Sequence, residues 1–260
     1  MTAPILLTGG TGTLGRQVLP LLRAAGHDVR VLSRQPHDGG DGVQYRRGDL
    51  RSGRGVDDAV AGVHTVVHLA GGPKGDDVAT RTLSRASARA GARHLVHISV
   101  VGADRVPVAW FRMKAAAERE VSGCGVPWTT LRAAQFHELV LTVARKMSRL
   151  PVLPVPGGLR FEPVDSGEVA RRVAELALGS PAGLVRDLAG PEVVGVGDLV
   201  GGYLEATGRH RPRLGVRLPG AAGRAYRAGD NLAGPGADRG TRTWADFLEA
   251  RIPARVAART

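Results

Sequence analysis

Cysteine is almost missing from this sequence: Cys124 stands alone among 260 residues. A single thiol excludes an internal disulfide framework and any multi-cysteine metal site. Cys124 itself reads as a small residue in a helix-to-strand turn. Aromatic residues are scarce, at 4%, and no run of 18 apolar residues occurs, so no membrane span is expected. The opening MTAPILLTGG has neither a basic segment nor a long apolar one. No signal peptide is expected on that ground, and the protein is expected in the cytoplasm. Lysine is nearly absent as well. Only Lys74, Lys114 and Lys146 occur, so 33 of the 36 basic residues are arginine.

The formal net charge of +12 raises the question of nucleic acid. The arginines are scattered, form no dense run and have few aromatics between them, so nucleic-acid binding is not expected. The arginine excess matches a general excess of alanine and glycine, which points to compositional bias rather than a selected patch. Against that background a retained lysine is informative. A site that needs a compact ammonium cannot exchange it for a planar guanidinium.

What is present is a regular alternation. At 43% hydrophobic, the chain can fill one sizeable core. Strands are predicted over residues 3–7, 27–32, 43–46, 63–69, 94–99 and 127–131. Helices are predicted over 14–25, 77–90, 110–121 and 136–149. The run from Val63 to Leu69 is almost continuously apolar, as suits a strand covered on both faces. Strand–helix alternation implies right-handed crossovers and a parallel sheet with helices on both sides. After Leu150 the texture changes. Pro151–Gly158 breaks the pattern, followed by a helix over 166–178, a strand over 184–188, a helix over 196–207 and a last helix over 244–250. Residues 1–150 are read as the nucleotide-binding region. Residues 151–260 are read as a smaller C-terminal lobe on the same sheet, the two forming one structural unit.

The sharpest motif is Thr8-Gly9-Gly10-Thr11-Gly12-Thr13-Leu14-Gly15, which follows the first strand and opens the first helix. Gly9, Gly12 and Gly15 have the spacing of a dinucleotide-binding turn. The first permits the turn, the second lets a diphosphate approach the backbone, and the third lets helix and strand pack closely. Free amides at the helix start would hold the phosphates. The fold class is therefore α/β, a Rossmann doubly wound parallel sheet with a small C-terminal substrate lobe. The second strand ends Ser33-Arg34 with no carboxylate, which suits the 2′-phosphate of NADP(H) better than the bare ribose of NAD(H). Arg16 stands beside the loop.

Arg132, Gln135, Phe136 and His137 follow the strand at 127–131 and would reach the crevice at the carboxyl ends of the strands. His137 could donate to a substrate oxygen or relay a proton, or else pack locally at a helix start. His64, His68, His94 and His97 lie on two neighbouring strands but lack accompanying carboxylates, so no metal site is expected. No nucleophile elbow, HExxH or P-loop lysine occurs. Trp110 and Phe111 would make an aromatic wall that favours flat substrates, and Trp244 and Phe247 would fasten the last helix.

TGGTGTLG, VLSR, GDL (48–50), HLAGG (68–72), ISVVG (98–102), RMKAAAERE (112–120), PWTTLRAAQFHE (127–138), LAGPE (188–192) and TRTWADFL (241–248) together resemble the atypical short-chain dehydrogenase/reductases, in particular the NmrA-like NAD(P)-binding group. The resemblance covers nearly the whole chain. It implies that Asp49 and Leu50 lie against the adenine, and Ala70 and Gly71 along the ribose and diphosphate. It places Ser99 beside the nicotinamide. Lys114 matches the lysine of the Tyr-x-x-x-Lys pair, which holds the nicotinamide ribose. Val100, Trp110, Arg132, Gln135 and Phe136 are assigned to the substrate pocket, and Lys114, Ser99 and His137 to catalysis.

One departure stands out. Trp110 occupies the position of the tyrosine, and an indole N–H cannot surrender its proton near neutral pH. None of Tyr45, Tyr203 and Tyr226 is placed by sequence position to replace it. Three accounts stay open. Lys114 could be the acid or orienting cation, its pKa lowered by burial. The acceptor could be a quinone, enone or imine protonated by water, so that orientation carries the step. Or the protein could be a non-catalytic redox sensor acting through a protein partner, as the resemblance to NmrA-type regulators allows. The first two make it an NADP(H)-dependent reductase of a small conjugated or aromatic carbonyl or quinone. The expected partner is that small molecule, with no membrane, and a homodimer stays open.

Overall fold

A computed structural model describes residues 3–252. The first half alternates as its periodicity predicts, with one short helix, Val56–Val60, that the periodicity does not predict. It runs β1 (Ile5–Thr8), α1 (Gly15–Ala24), β2 (Val29–Ser33), β3 (Val43–Arg47), α2 (Val56–Val60), β4 (Thr65–His68), α3 (Asp76–Arg89), β5 (His94–Val100), α4 (Ala109–Ser122), β6 (Trp128–Ala133) and α5 (His137–Met147). The second half holds β7 (Leu153–Pro156), β8 (Arg160–Phe161), α6 (Ser166–Leu178), β9 (Gly183–Leu184), β10 (Leu188–Ala189), β11 (Val194–Gly195), α7 (Val196–Ala206), β12 (Arg213–Val216), α8 (Gly220–Ala228), β13 (Asp238–Arg239) and α9 (Trp244–Arg251).

The central sheet has the order β13-β10-β6-β5-β4-β1-β2-β3, with β9 also on β6, and every pairing in it is parallel. Order reverses beside β1, between β2 and β4, which is where an open parallel sheet leaves a crevice for a ligand. Successive side chains of each strand serve opposite faces. Leu7, Val31 and Val67 pack with Val18 and Leu22 of α1 and Val169 and Val173 of α6. Leu6, Leu32 and Val66 pack with Val56 of α2 and Leu83 of α3. The segments after residue 150 extend this sheet through β9, β10 and β13, while α5, α7 and α9 enclose a further core around Leu141, Tyr203, Trp244 and Phe247. Among the described residues no helix is long and apolar enough to cross a membrane.

Three local differences from the sequence reading have physical causes. The Pro/Gly-rich stretch contains β7, which pairs with β12 at Leu153–Arg213 through Pro156–Val216. Prolines are tolerated there because the ribbon has only two strands, and each proline needs only its carbonyl. The strand expected over 184–188 is two short ones, both on β6: Leu184 opposite Thr130 and Leu188 opposite Ala133. Helix α8 shows no apolar stripe in its sequence, being built mostly of glycine, alanine and arginine.

A polar spine runs through the core beneath the carboxyl ends of the strands. Thr8 Oγ1 lies 2.8 Å from His68 Nδ1, and Thr80 Oγ1 lies 2.9 Å from His68 Nε2. The hydroxyl of Thr80 donates to the Asp76 carbonyl at 2.8 Å, so Thr80 accepts from His68 Nε2–H. His68 Nδ1 is then the acceptor of the Thr8 hydroxyl, and Thr8 in turn accepts from the Ala70 amide at 3.3 Å. Each bond fixes the direction of the next, and all require a neutral His68. Its ring stacks on that of His97, with centroids 5.6 Å apart. Burial lowers the pKa of His68 from its usual 6.5 to about 4; Lys114 also lowers it and Asp76 partly offsets both. His97 is held well below its usual value for the same first reason, with His68 and Lys114 adding to it.

The unfolded chain therefore binds protons in a range where the folded protein does not. The stability contributed by a neutral His68 is complete above about pH 6.5 and is lost as the pH falls toward 4. At ~1.4 kcal/mol per pH unit, it amounts to about 3 kcal/mol. Thermal unfolding followed from pH 8 to pH 4 should show Tm falling below pH 6.5, with a shallower fall in His68→Gln. An equal fall in both proteins would contradict this assignment.

Candidate cofactor and substrate site

The glycine loop is a steric device. Gly9 turns the chain out of β1 at φ +72°, a region that side chains rarely occupy. A Cβ on Gly9 would lie 2.6 Å from the Ala70 amide nitrogen, and a Cβ on Gly15 would overlap the Gly9 carbonyl oxygen. These two glycines let the loop after β4 and the start of α1 close onto the end of β1. Gly10 is buried against Val31. Gly12 is different: it is exposed, and only the Gly9 carbonyl, at 3.2 Å, approaches the place of its Cβ. The exposed surface at Gly12 is thus bare backbone, between the exposed side chains of Thr11 and Thr13.

The amide of Gly12 donates to Gly9. Those of Thr11, Thr13, Leu14 and Gly15 have no acceptor among the described residues. Leu14 supplies no side-chain cap, and the first turn of α1 has no acidic residue. Free amides at an uncapped, uncompensated helix start form an anion site. The diphosphate of a dinucleotide fits this cradle, and its adenosine half would run toward the ends of β2 and β3. There Ser33 Oγ accepts from the Gln35 amide at 3.2 Å, which leaves its own proton to give. Arg34 is exposed and without an ion-pair partner among the described residues. Asp49 Oδ1 is occupied by the Arg51 amide at 2.9 Å. Leu50 is buried in the core with Leu32 and Val56. Arg51, which the sequence reading passed over, lies with its Nε 2.9 Å from where a Cβ on Gly75 would be.

Lys114 is 8% exposed, and its ammonium lies 2.6 Å from Asp76 Oδ2. Asp76 is still more deeply buried and begins α3. Both groups press against the chain at Gly71: a Cβ there would lie 3.3 Å from Lys114 Nζ and 3.4 Å from Asp76 Oδ1. The scarce lysine is therefore a buried ion-paired cation, not a solvated helix charge. Asp76 was invisible in the sequence, where it is one of two aspartates opening a helix, and only the meeting of α3 and α4 reveals it.

Ser99 stands near the end of β5, buried, with no partner for its hydroxyl among the described residues; the side-chain oxygen of Gln135, just past β6, is in the same position. Buried polar atoms without a partner are rare and mark a place where a ligand can bond. Val100 is buried beside Phe111, with Trp110 and Tyr226 packed on the same cluster. Trp110 and Phe111 meet edge to face at 5.0 Å, with Phe111 buried. Phe136 caps α5 and bridges to Val164.

Two assignments need correcting. Arg132 was expected to line the substrate pocket. Its guanidinium is instead held by both Glu118 carboxylate oxygens, at 2.9 and 2.7 Å, and by Asp104 at 3.1 Å. A fork bound in this way on two carboxylates joins β6 to α4 and has little left to offer a substrate. His137 was expected to reach the crevice. Its side chain is fully buried among Trp244 and Phe247, with ring centroids 5.8 and 5.0 Å away. Both its ring nitrogens lack partners among the described residues, and burial lowers its pKa. The ring packs α5 against α9, the local alternative that the sequence left open. Trp244 does fasten α9, donating from Nε1 to the Leu199 carbonyl at 3.0 Å.

Comparison with known proteins follows the same lines. A (4-alkanoyl-5-oxo-2,5-dihydrofuran-3-yl)methyl phosphate reductase of Streptomyces griseus is 32% identical over 197 residues, covering 73% of this chain and 69% of that protein. An NAD(P)H azoreductase of Xenophilus azovorans is 27% identical over 213 residues, covering 79% and 74%. The crystal structure of an NADPH-dependent quinone oxidoreductase from Escherichia coli superposes with a TM-score of 0.77 at 18% identity, over 95% of this chain and 99% of that one, which establishes a common fold. The model of a family described as NAD(P)H-binding matches residues 9–149, more than half of the chain. This protein belongs to that NAD(P)H-binding family.

Proposed function

We propose that the protein is an NADP(H)-dependent reductase that delivers hydride to a small conjugated acceptor, an enone, a quinone or an azo or imine group. The observation that carries this reading is the buried Lys114–Asp76 pair set against Gly71, beside the bare glycine cradle. A buried charge pair is costly to keep unless geometry or function demands it. The names of the similar proteins support conjugated acceptors: a butenolide whose ring alkene carries two carbonyls on one of its carbons, and an azo compound.

The bound dinucleotide would supply the hydride. The chain would supply position and charge. The amides of Thr11, Thr13, Leu14 and Gly15 would hold the diphosphate. Arg34, with Ser33, would favour a 2′-phosphate over a bare hydroxyl. Asp49, Ala70 and Gly71 would border the adenosine and ribose. The Lys114 ammonium has one proton directed at Asp76 and two left for ribose hydroxyls. With its charge already balanced by Asp76, we assign it as an orienting cation and not as the proton source. Ser99 and Gln135 would offer polar atoms beside the reacting groups, and Val100, Trp110 and Phe136 a flat apolar surface. Orientation of two reactants is itself a large part of a hydride transfer.

Two measurements test this reading. Purified protein mixed with NADPH and a panel of enones, quinones, azo dyes and simple ketones should oxidise NADPH with conjugated acceptors in preference to simple ketones. No turnover with any acceptor, combined with tight binding of both redox forms, would point instead to a redox sensor. The second separates the function of Lys114 from its packing. Lys114→Ala should destabilise the fold by about 3–5 kcal/mol, because it strands the Asp76 charge. The Asp76→Ala/Lys114→Ala double variant should regain most of that stability, yet keep a turnover at least tenfold below the unaltered protein. A double variant with full turnover would remove Lys114 from the mechanism.

A further inference from the structure

The sequence left the reaction without a phenol at position 110, and the fold brings one from the other end of the chain to the aromatic cluster at the start of α4. Of the three tyrosines, Tyr45 packs on His37 along β3, and Tyr203 is buried in the core between α5, α7 and α9. Tyr226, on α8, is the one that joins the cluster at the start of α4. Its ring meets Phe111 edge to face at 6.3 Å and Phe161 at 5.7 Å. Phe111 neighbours Trp110, and Lys114 lies one helical turn beyond Trp110. Val100, the residue after Ser99, belongs to the same cluster.

The placement is rigid. Past α8 the chain is pinned onto the loop that leaves β5. Gly102 adopts φ +82°, and a Cβ there would overlap the Asp230 carbonyl; Arg105 donates to the Leu232 carbonyl at 3.0 Å. The same segment is pinned to β8, where Asn231 Nδ2 donates to the Arg160 carbonyl at 2.8 Å and the Ala233 amide donates to Glu162 at 2.6 Å. Tyr226 is thereby held over the carboxyl end of β5 and the first turn of α4. It is half-buried, and burial raises its pKa, with no charge or hydrogen bond among the described residues contributing. Such a phenol stays protonated at neutral pH and keeps its hydroxyl free for a ligand.

We infer that Tyr226 is the proton donor of the reduction, replacing from the C-terminal lobe the phenol that Trp110 displaces on α4. This rests on the reductase reading above. The bound dinucleotide would supply the hydride. With an enone or quinone, the Tyr226 O–H bond would break as a new O–H bond forms on the carbonyl oxygen of the acceptor, and the phenolate would regain a proton from water. Tyr226 is a catalytic residue on this account because its oxygen would touch the acceptor.

The test compares the unaltered protein with Tyr226→Phe and Tyr226→Ala, using NADPH and the best enone of the panel. Tyr226→Phe keeps the ring and its contact with Phe111, so Tm and NADPH affinity should hold while kcat falls at least tenfold. A Tyr226→Phe variant with unchanged kcat overturns the inference, whatever Tyr226→Ala does, because the ring alone would then suffice. A second readout needs no turnover. With 13Cζ-labelled tyrosine, the resonance that disappears in Tyr226→Phe should shift when NADP+ and the reduced product are added together. A resonance that stays in place overturns the inference as well. Turnover by the unaltered protein tests the reductase reading itself; its absence with every acceptor removes that reading and this one together.

Discussion

A carbon atom at the Cβ position of residue 15 would collide with the carbonyl oxygen of residue 9. The site depends on that constraint. Because both positions are glycine, α1 begins directly against the end of β1, and the loop after β4 can lie on Gly9. The amides of Thr11, Thr13, Leu14 and Gly15 then have no acceptor among the described residues, and the first turn carries no carboxylate. The same closeness makes the polar spine possible. Thr8, the last residue of β1, takes a bond from Ala70 and gives one to His68, so the two loops that border the crevice are set by one chain of hydrogen bonds. A cradle organised before the ligand arrives avoids the cost of ordering it on binding.

Helix α4 is the second organising element. Lys114 and Glu118 are four residues apart and so share one face. One pairs with Asp76 of α3 and the other with Arg132 of β6. Two ionic clamps of opposite polarity, both largely buried, fix the rotation of the helix about its own axis. Truncating either partner leaves a charge without compensation, which is why such pairs specify geometry more strongly than they stabilise the fold. The clamps direct Lys114 toward Gly71 and leave Phe111 to meet Tyr226 of α8. The retention of lysine at position 114 in this arginine-rich chain follows: a compact ammonium fits between Asp76 and Gly71, and a broad guanidinium does not.

The sequence was legible where structure is local. The parallel strands showed as apolar runs because both their faces are buried, and α6 showed its full length because its apolar period of 3.6 is unbroken from Ser166 to Leu178. The glycine loop could be read because the mechanism requires specific absences at fixed spacing. Long-range pairings left little local trace. Asp76 and Lys114 are 38 positions apart, and neither alone shows that they meet. The β7–β12 ribbon joins segments about 60 residues apart, one of them rich in proline. Arg132 and His137 were misplaced because strand period fixes where a residue stands but not what its side chain finds. Arg132 found Glu118, and His137 found two aromatic rings of α9. Tyr226 belongs to the same class, brought over α4 only by the packing of a helix from the far end of the chain.

The claim on which all of this rests is that bare backbone at the head of α1 holds a dinucleotide diphosphate, with Arg34 selecting its 2′-phosphate. Isothermal titration of NADPH and of NADH into the protein tests it most directly. The account requires NADPH to bind, and to bind at least tenfold more tightly than NADH, since a hydrogen bond to a charged group contributes about 1.5–3 kcal/mol. Failure of both dinucleotides to bind at millimolar concentration would contradict it.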